Sequence, residues 1–286
     1  MSSIADLQAR FGVPGVLRID EGRGSLPRVS VTSNLATAEI YLHGAHLTQW
    51  QPRGAKPVLF MSEKSWFEPG KPIRGGVPVC FPWFGPKPDS PAHGFARISS
   101  WDLVSCAVQP DGAVRAAFQL GSDESTIGLT FTIGGTLEMD LEVRSKAAFT
   151  FEEALHTYFA VADVRQVSVD GLANTDYLDK VDAFKRKTQS PEPIRIAGET
   201  DRVYLNTRTT CTVHDPGLGR TLTIEKEGSG TTVVWNPWIA KAKAMPDFGD
   251  DEWPQMICVE TANVGDGAVR LDAGGSHRMS VRIRVG

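Results

Sequence analysis

The sequence predicts an all-β fold, a large antiparallel β-sandwich, on three observations. Apolar and polar residues alternate over much of the chain, turn-forming residues are frequent, and no long helical period follows the first dozen residues. The 286 residues include 28 Gly and 18 Pro, about a sixth of the chain against roughly 12% in average proteins. That length suits two ordinary domains or one large β domain. With 41% apolar and 22% charged residues, the chain can bury a sizeable core, which excludes wholesale disorder.

Taken in order, the elements begin with one short helix. Ile4, Leu7 and Phe11 recur at helical spacing, Ser2 or Ser3 can cap, and Gly12 can stop the turn. The period then becomes two. Val114, Ala116, Phe118 and Leu120 alternate with polar or small residues, followed by Leu129, Phe131 and Ile133. Gly134-Gly135 separates these from Leu137, Met139, Leu141 and Val143 and marks a hairpin. The chain closes with Met279, Val281, Ile283 and Val285 on one face and Arg278, Arg282 and Arg284 on the other. The Pro/Gly-rich stretch from Pro69 to Gly94 is a candidate boundary, yet Val77, Val79, Phe81, Trp83 and Phe84 make it too apolar for a linker. It reads as an extended segment folded back onto the sheets. The expectation is a single domain over residues 1–286 with roughly fifteen or more strands.

Charge and cysteine content narrow the function. A formal charge of −4 gives no electrostatic reason to bind nucleic acid. The basic triplet Lys185-Arg186-Lys187 reads as a solvated turn. Cys80, Cys106, Cys211 and Cys258 lie far apart, and the first residues carry no apolar signal segment, so free buried thiols and a cytoplasmic location without membrane partners are expected.

Dinucleotide, P-loop and serine-hydrolase signatures are absent. His43 and His46 form the one close His pair. On a strand they would point to opposite faces, so sheet-edge histidines are favoured over a metal site. More informative are polar residues inside apolar runs. His156 interrupts Phe149–Val161, and Glu260 interrupts Pro254–Val264. Each reads either as a hydrogen-bonded core residue or as half of an acid/base pair, because an unpartnered buried carboxylate is costly. Arg74 and Arg97 sit beside glycines around the Pro-rich segment, either as surface ion pairs or as planar ligands for phosphate or carboxylate. Asp201 opens a strand as a turn cap or an acceptor for ligand hydroxyls, and Trp83, Trp235 and Trp238 are core residues or sugar-stacking ones.

The runs IRGGVPVCFPWFG (73–85), AHGFAR (92–97), ALHTYF (154–159), ETDRVY (199–204), VVWNPWIAKAKAMPDFGDDEW (233–253) and MICVETANV (256–264) occur in that order. Together they resemble the hexose-6-phosphate mutarotases, or glucose-6-phosphate 1-epimerases, of the aldose 1-epimerase family. The resemblance implies a galactose mutarotase-like sandwich that binds a hexose 6-phosphate and interconverts its anomers without a cofactor. It implies catalytic roles for His156 and Glu260 and substrate binding by Arg74, His93, Arg97 and Asp201. One departure is Ala92, where some relatives place a polar residue before the His. Two other readings stay open: a carbohydrate-binding sandwich without turnover, and a mutarotase of unphosphorylated sugars. A glycoside hydrolase is weaker, since only Glu260 is strongly placed in an apolar strand.

Overall fold

The computed structural model describes residues 2–286. It opens with the helix Ile4–Phe11, capped as a box. The Asp6 N–H donates to Ser3 Oγ at 3.1 Å while the Ser3 N–H donates to Asp6 Oδ2 at 3.2 Å. The regular structure after it is mostly antiparallel sheet, as the alternation predicts. Four strands between Leu17 and Pro52 pair in sequence order. A nine-stranded sheet carries the long hairpins, including Ser125–Ile133 paired with Thr136–Ser145 around Gly134-Gly135. An eight-stranded sheet carries Asp201 and Glu260 and flanks His156, while Arg74, His93 and Arg97 lie outside its strands. In the nine-stranded sheet the alternating residues Phe118, Leu129, Phe131, Leu141 and Ile283 are buried, forming the inner layer of the sandwich.

The eight-stranded sheet is buried on both faces at its centre. All eight residues of the strand Met256–Asn263 are buried, which is why its first four, Met256 to Val259, are apolar without alternation. Ile257 and Val259 join the main core, while Ala262 joins a smaller cluster with Cys80, Ala154, Val203 and Val233 on the other face. The Pro/Gly-rich segment folds back as predicted, supplying the strand Val79–Cys80 and isolated bridges from Gly75, Val77 and Phe81.

Three local expectations need correction. Lys185-Arg186-Lys187 is no turn: it lies in the edge strand Lys185–Thr188, its charges paired with Asp176, Asp179 and Asp182. His43 and His46 do not share one strand: His46 opens the outermost strand of the four-stranded sheet, His43 precedes it, and a turn in which Gly44 and Ala45 take positive φ joins the two buried residues. Each ring bonds a different backbone carbonyl, His43 that of Lys71 at 2.7 Å and His46 that of Gly75 at 2.8 Å. Burial pushes His46 down to about 3. Finally, a second helix, Trp238–Ala244, interrupts the β pattern. Seven residues are too few to show a helical period.

Candidate active site

The register of the eight-stranded sheet assembles the site. Leu155 pairs with Thr261 and Tyr158 with Cys258, so an unbroken register sets His156 directly opposite Glu260, on the same face. The ladder opens locally there, where the Thr157 N–H turns back to Leu155 O at 2.9 Å while the His156 N–H donates to Pro78 O at 3.0 Å on the other side. Across the next strands, Glu260 faces Val233, Cys258 faces Trp235, and Trp235 faces Asp201. Leu178 pairs with Val203, which carries Lys180 opposite Asp201. One sheet face therefore presents an imidazole, two carboxyl groups, an amine and an indole as neighbours.

These side chains line a cavity of about 400 Å³ that also receives Arg74, His93 and Arg97. All six residues expected at the site thus meet in one place. His156 Nε2 and Glu260 Oε1 stand 3.3 Å apart, unaligned for a hydrogen bond. Both Glu260 oxygens and His156 Nδ1 are buried without partners. Burial, then the nearby Asp201 charge, holds the Glu260 carboxyl well above the usual carboxylate range, although Lys180 opposes this. Burial, then the Arg97 and Arg74 charges, holds His156 well below the usual imidazole range. Each shift favours the uncharged form of its group.

The loops around the sheet position the cations. The Arg74 backbone N–H donates to Ser65 Oγ at 2.8 Å. Gly75 and Gly76 adopt positive φ, and a Cβ there would sit 2.5 Å from Phe60 O or 2.3 Å from Leu47 O. The glycines therefore serve the close approach of backbone to backbone, not to a ligand. The Arg74 guanidinium donates to Asp247 through Nε at 3.1 Å and to the Tyr158 hydroxyl through Nη1 at 3.1 Å. Arg97 differs. It is 8% exposed, makes no ion pair among the described residues, and its Nε is buried without a partner. Its Nη2 donates to Ala92 O at 2.6 Å. His93 accepts from the Gly85 N–H at Nδ1, 3.3 Å away, which leaves Nε2 as the protonated nitrogen. Asp201 is no turn cap, since its carboxylate pairs with Lys180 Nζ at 3.0 Å.

Of the three tryptophans, only Trp235 lines the cavity, edge-on to His156 at 5.9 Å. Trp83 donates to Pro91 O, and Trp238 packs on Trp253. Lys180, Lys241 and Tyr158 were not anticipated. The lysines resemble ordinary surface charge in sequence, and Tyr158 resembles core.

A sandwich that sets an imidazole and a carboxyl group face to face in a cation-rimmed cavity has an architecture suited to a proton-transferring isomerase. Residues 27–284 match the aldose 1-epimerase family, and the chain belongs to that family. It is similar to a protein of Escherichia coli K12 provisionally named glucose-6-phosphate 1-epimerase, with 40% identity over 79% of each chain. A Cenchrus ciliaris protein with the same provisional name is 37% identical over 79% of this chain and 75% of its own. A Salmonella typhimurium crystal structure, provisionally described as a mutarotase, superposes with a TM-score of 0.90 at 33% identity, covering 96% of this chain and 95% of that one. The galactose 1-epimerase of Lactobacillus acidophilus shares the fold, with a TM-score of 0.74 at 12% identity over 94% of this chain and 98% of that one.

Proposed function

We propose that this protein interconverts the α and β anomers of a hexose 6-phosphate, glucose 6-phosphate foremost. The observation that carries the phosphate is Arg97, a buried guanidinium without an anionic partner beside the acid/base pair. Burying an uncompensated charge is unfavourable, and a phosphate satisfies it with short charge-assisted hydrogen bonds. The provisional names of the relatives point the same way.

Anomerisation removes the proton from O1, gives one to the ring oxygen O5, opens the ring to the aldehyde, rotates C1 and closes again. O1 and O5 both sit on C1, so acid and base must stand side by side. A separation of 3.3 Å between His156 and Glu260 suits that need, whereas glycosidases place their carboxyl groups roughly 5–9.5 Å apart on either side of the bond. Glu260 takes the O1 proton while His156 protonates O5, and the roles reverse on closure. This exchange starts and ends with one proton on the pair. A phosphate dianion on Arg97 and Arg74 cancels the field that depresses His156, favouring the protonated imidazole that opening requires. Asp201 and His93 hold sugar hydroxyls.

We read the chain as a single domain, since one core cluster draws on residues from Leu7 to Ile283. Four buried free cysteines support a cytoplasmic location. No helix among the described residues is long and apolar enough to cross a membrane.

The test is NMR exchange between α- and β-glucose 6-phosphate against an enzyme-free control, run beside free glucose. Faster exchange confined to the phosphate ester is expected. Equal efficiency on free glucose would make the protein an aldose mutarotase without phosphate selection, and cleavage of a glycoside would reopen the hydrolase reading.

A further inference from the structure

Phe184 stands at the cavity mouth in an arrangement that packing does not explain. It is 60% exposed, the most exposed large apolar residue among those described, yet it lines the same cavity as His156 and Glu260. Its φ is +59°, and Ala183 before it has a φ of +50°. Two successive non-glycine residues in the left-handed region are costly, most of all for a bulky side chain. The segment is not loose. Lys180 anchors it to the sheet by its backbone N–H on Asp201 O at 2.9 Å and its Nζ on Asp201 Oδ2 at 3.0 Å. Asp179 accepts from the Val181 N–H at 3.1 Å and from Lys187 Nζ at 2.7 Å. A clamped hairpin tip thus holds a strained phenyl ring open to solvent over the site.

We propose that Phe184 is a substrate-contacting specificity residue: its ring covers the apolar C–H face of the bound pyranose, enclosing the sugar between the hairpin tip and the sheet. The proposal rests on the anomerase reading and adds the wall that reading lacks. The sheet side of the cavity supplies charge and hydrogen bonds, while a pyranose also has apolar C–H edges that gain from leaving water. Exposure and strain at residue 184 are then compensated when substrate covers the ring. Val181 provides an internal control. It sits on the same tip and is 48% exposed, but does not line the cavity.

The test compares wild type, Phe184→Gly, Phe184→Tyr and Val181→Ala by anomer exchange, by thermal unfolding and by equilibrium binding of glucose 6-phosphate. Glycine adopts φ +59° without strain, so Phe184→Gly should keep or raise Tm. Its KM and Kd should rise about 10-fold, as expected for uncovering several tens of Å² of apolar contact, with little change in kcat. Phe184→Tyr should keep the wild-type KM, and Val181→Ala should match wild type throughout. Wild-type KM and Kd in Phe184→Gly overturn the proposal, as does an equal rise in Val181→Ala. Lack of exchange by wild type would refute the anomerase reading alone. The binding comparison then decides on Phe184, and a Kd equal in wild type and Phe184→Gly, or no binding by either, counts against it.

Discussion

The protein biases Glu260 and His156 toward their uncharged forms, which makes their proposed activity and their stability cost two faces of one arrangement. A carboxyl raised by burial favours its protonated form in the fold. Its contribution is present at low pH and is lost as pH rises from the ordinary carboxylate range through the raised folded value. His156, lowered by burial and by Arg97, works in the opposite direction. The fold favours neutral imidazole, and that contribution is lost as pH falls below the ordinary imidazole range. Glu260→Gln should therefore slow anomer exchange by roughly 10²–10⁴-fold while raising Tm above neutral pH by a few degrees, about 1 kcal/mol or more. Below about pH 4 the two proteins should unfold alike, because the wild-type carboxyl is protonated in both states. His156→Asn should lose a comparable factor in rate and gain its relative stability on the acid side instead. Near-wild-type exchange by either folded variant would remove that residue from the mechanism. These two residues could be found in the sequence because each is a polar residue within an apolar run, the pattern that a buried functional group leaves in a strand.

At the scale of elements, strand register turns such scattered residues into a site. Asp201 and Glu260 lie 59 positions apart and become near neighbours because Asp201 faces Trp235, Trp235 faces Cys258, and Val233 faces Glu260. Alternation made the strands legible, and the hairpin at Gly134-Gly135 followed from its turn residues. Lys180 was not legible, since in Asp176–Lys187 it is one basic residue among many and only the pairing of Leu178 with Val203 brings it to Asp201. The helix Trp238–Ala244 was missed for a different reason: of its seven residues only Ala242 is buried, which leaves no apolar stripe to detect. Gly75 and Gly76 stand out in the sequence as neighbours of Arg74, but the sequence does not show what they approach. Their positive φ lets the Arg74 loop lie against Phe60 O and Leu47 O. Gly75→Ala should accordingly cost roughly 2 kcal/mol or more and, by moving Arg74, raise KM for glucose 6-phosphate more than it lowers kcat. Urea unfolding and steady-state exchange measure both. An unchanged unfolding midpoint would show that the close approach carries no energy.

At the scale of the whole molecule, a chain of formal charge −4 offers an anion no general attraction, so binding depends on how charge is balanced inside the cavity. Arg74 is paired with Asp247, Lys180 with Asp201 and Lys241 with Glu199. Arg97 is left as the uncompensated cation. The two arginines, equivalent in the sequence, should therefore behave oppositely when removed. Arg74→Met leaves Asp247, which is 3% exposed, as a buried carboxylate without its partner, and breaking such a pair costs about 3–5 kcal/mol. Arg97→Met removes a charge that the unliganded protein holds at a cost, so Tm without substrate should stay level or rise. Glucose 6-phosphate should stabilise wild type by mass action, about 2.7 kcal/mol at a hundredfold excess over Kd. Arg97→Met should lose most of that shift while keeping whatever small shift free glucose gives. A lower Tm for Arg97→Met with an undiminished response to the phosphate ester would mean that this guanidinium holds the fold and not the substrate, and the phosphate would then have to rest on Arg74 or the two lysines.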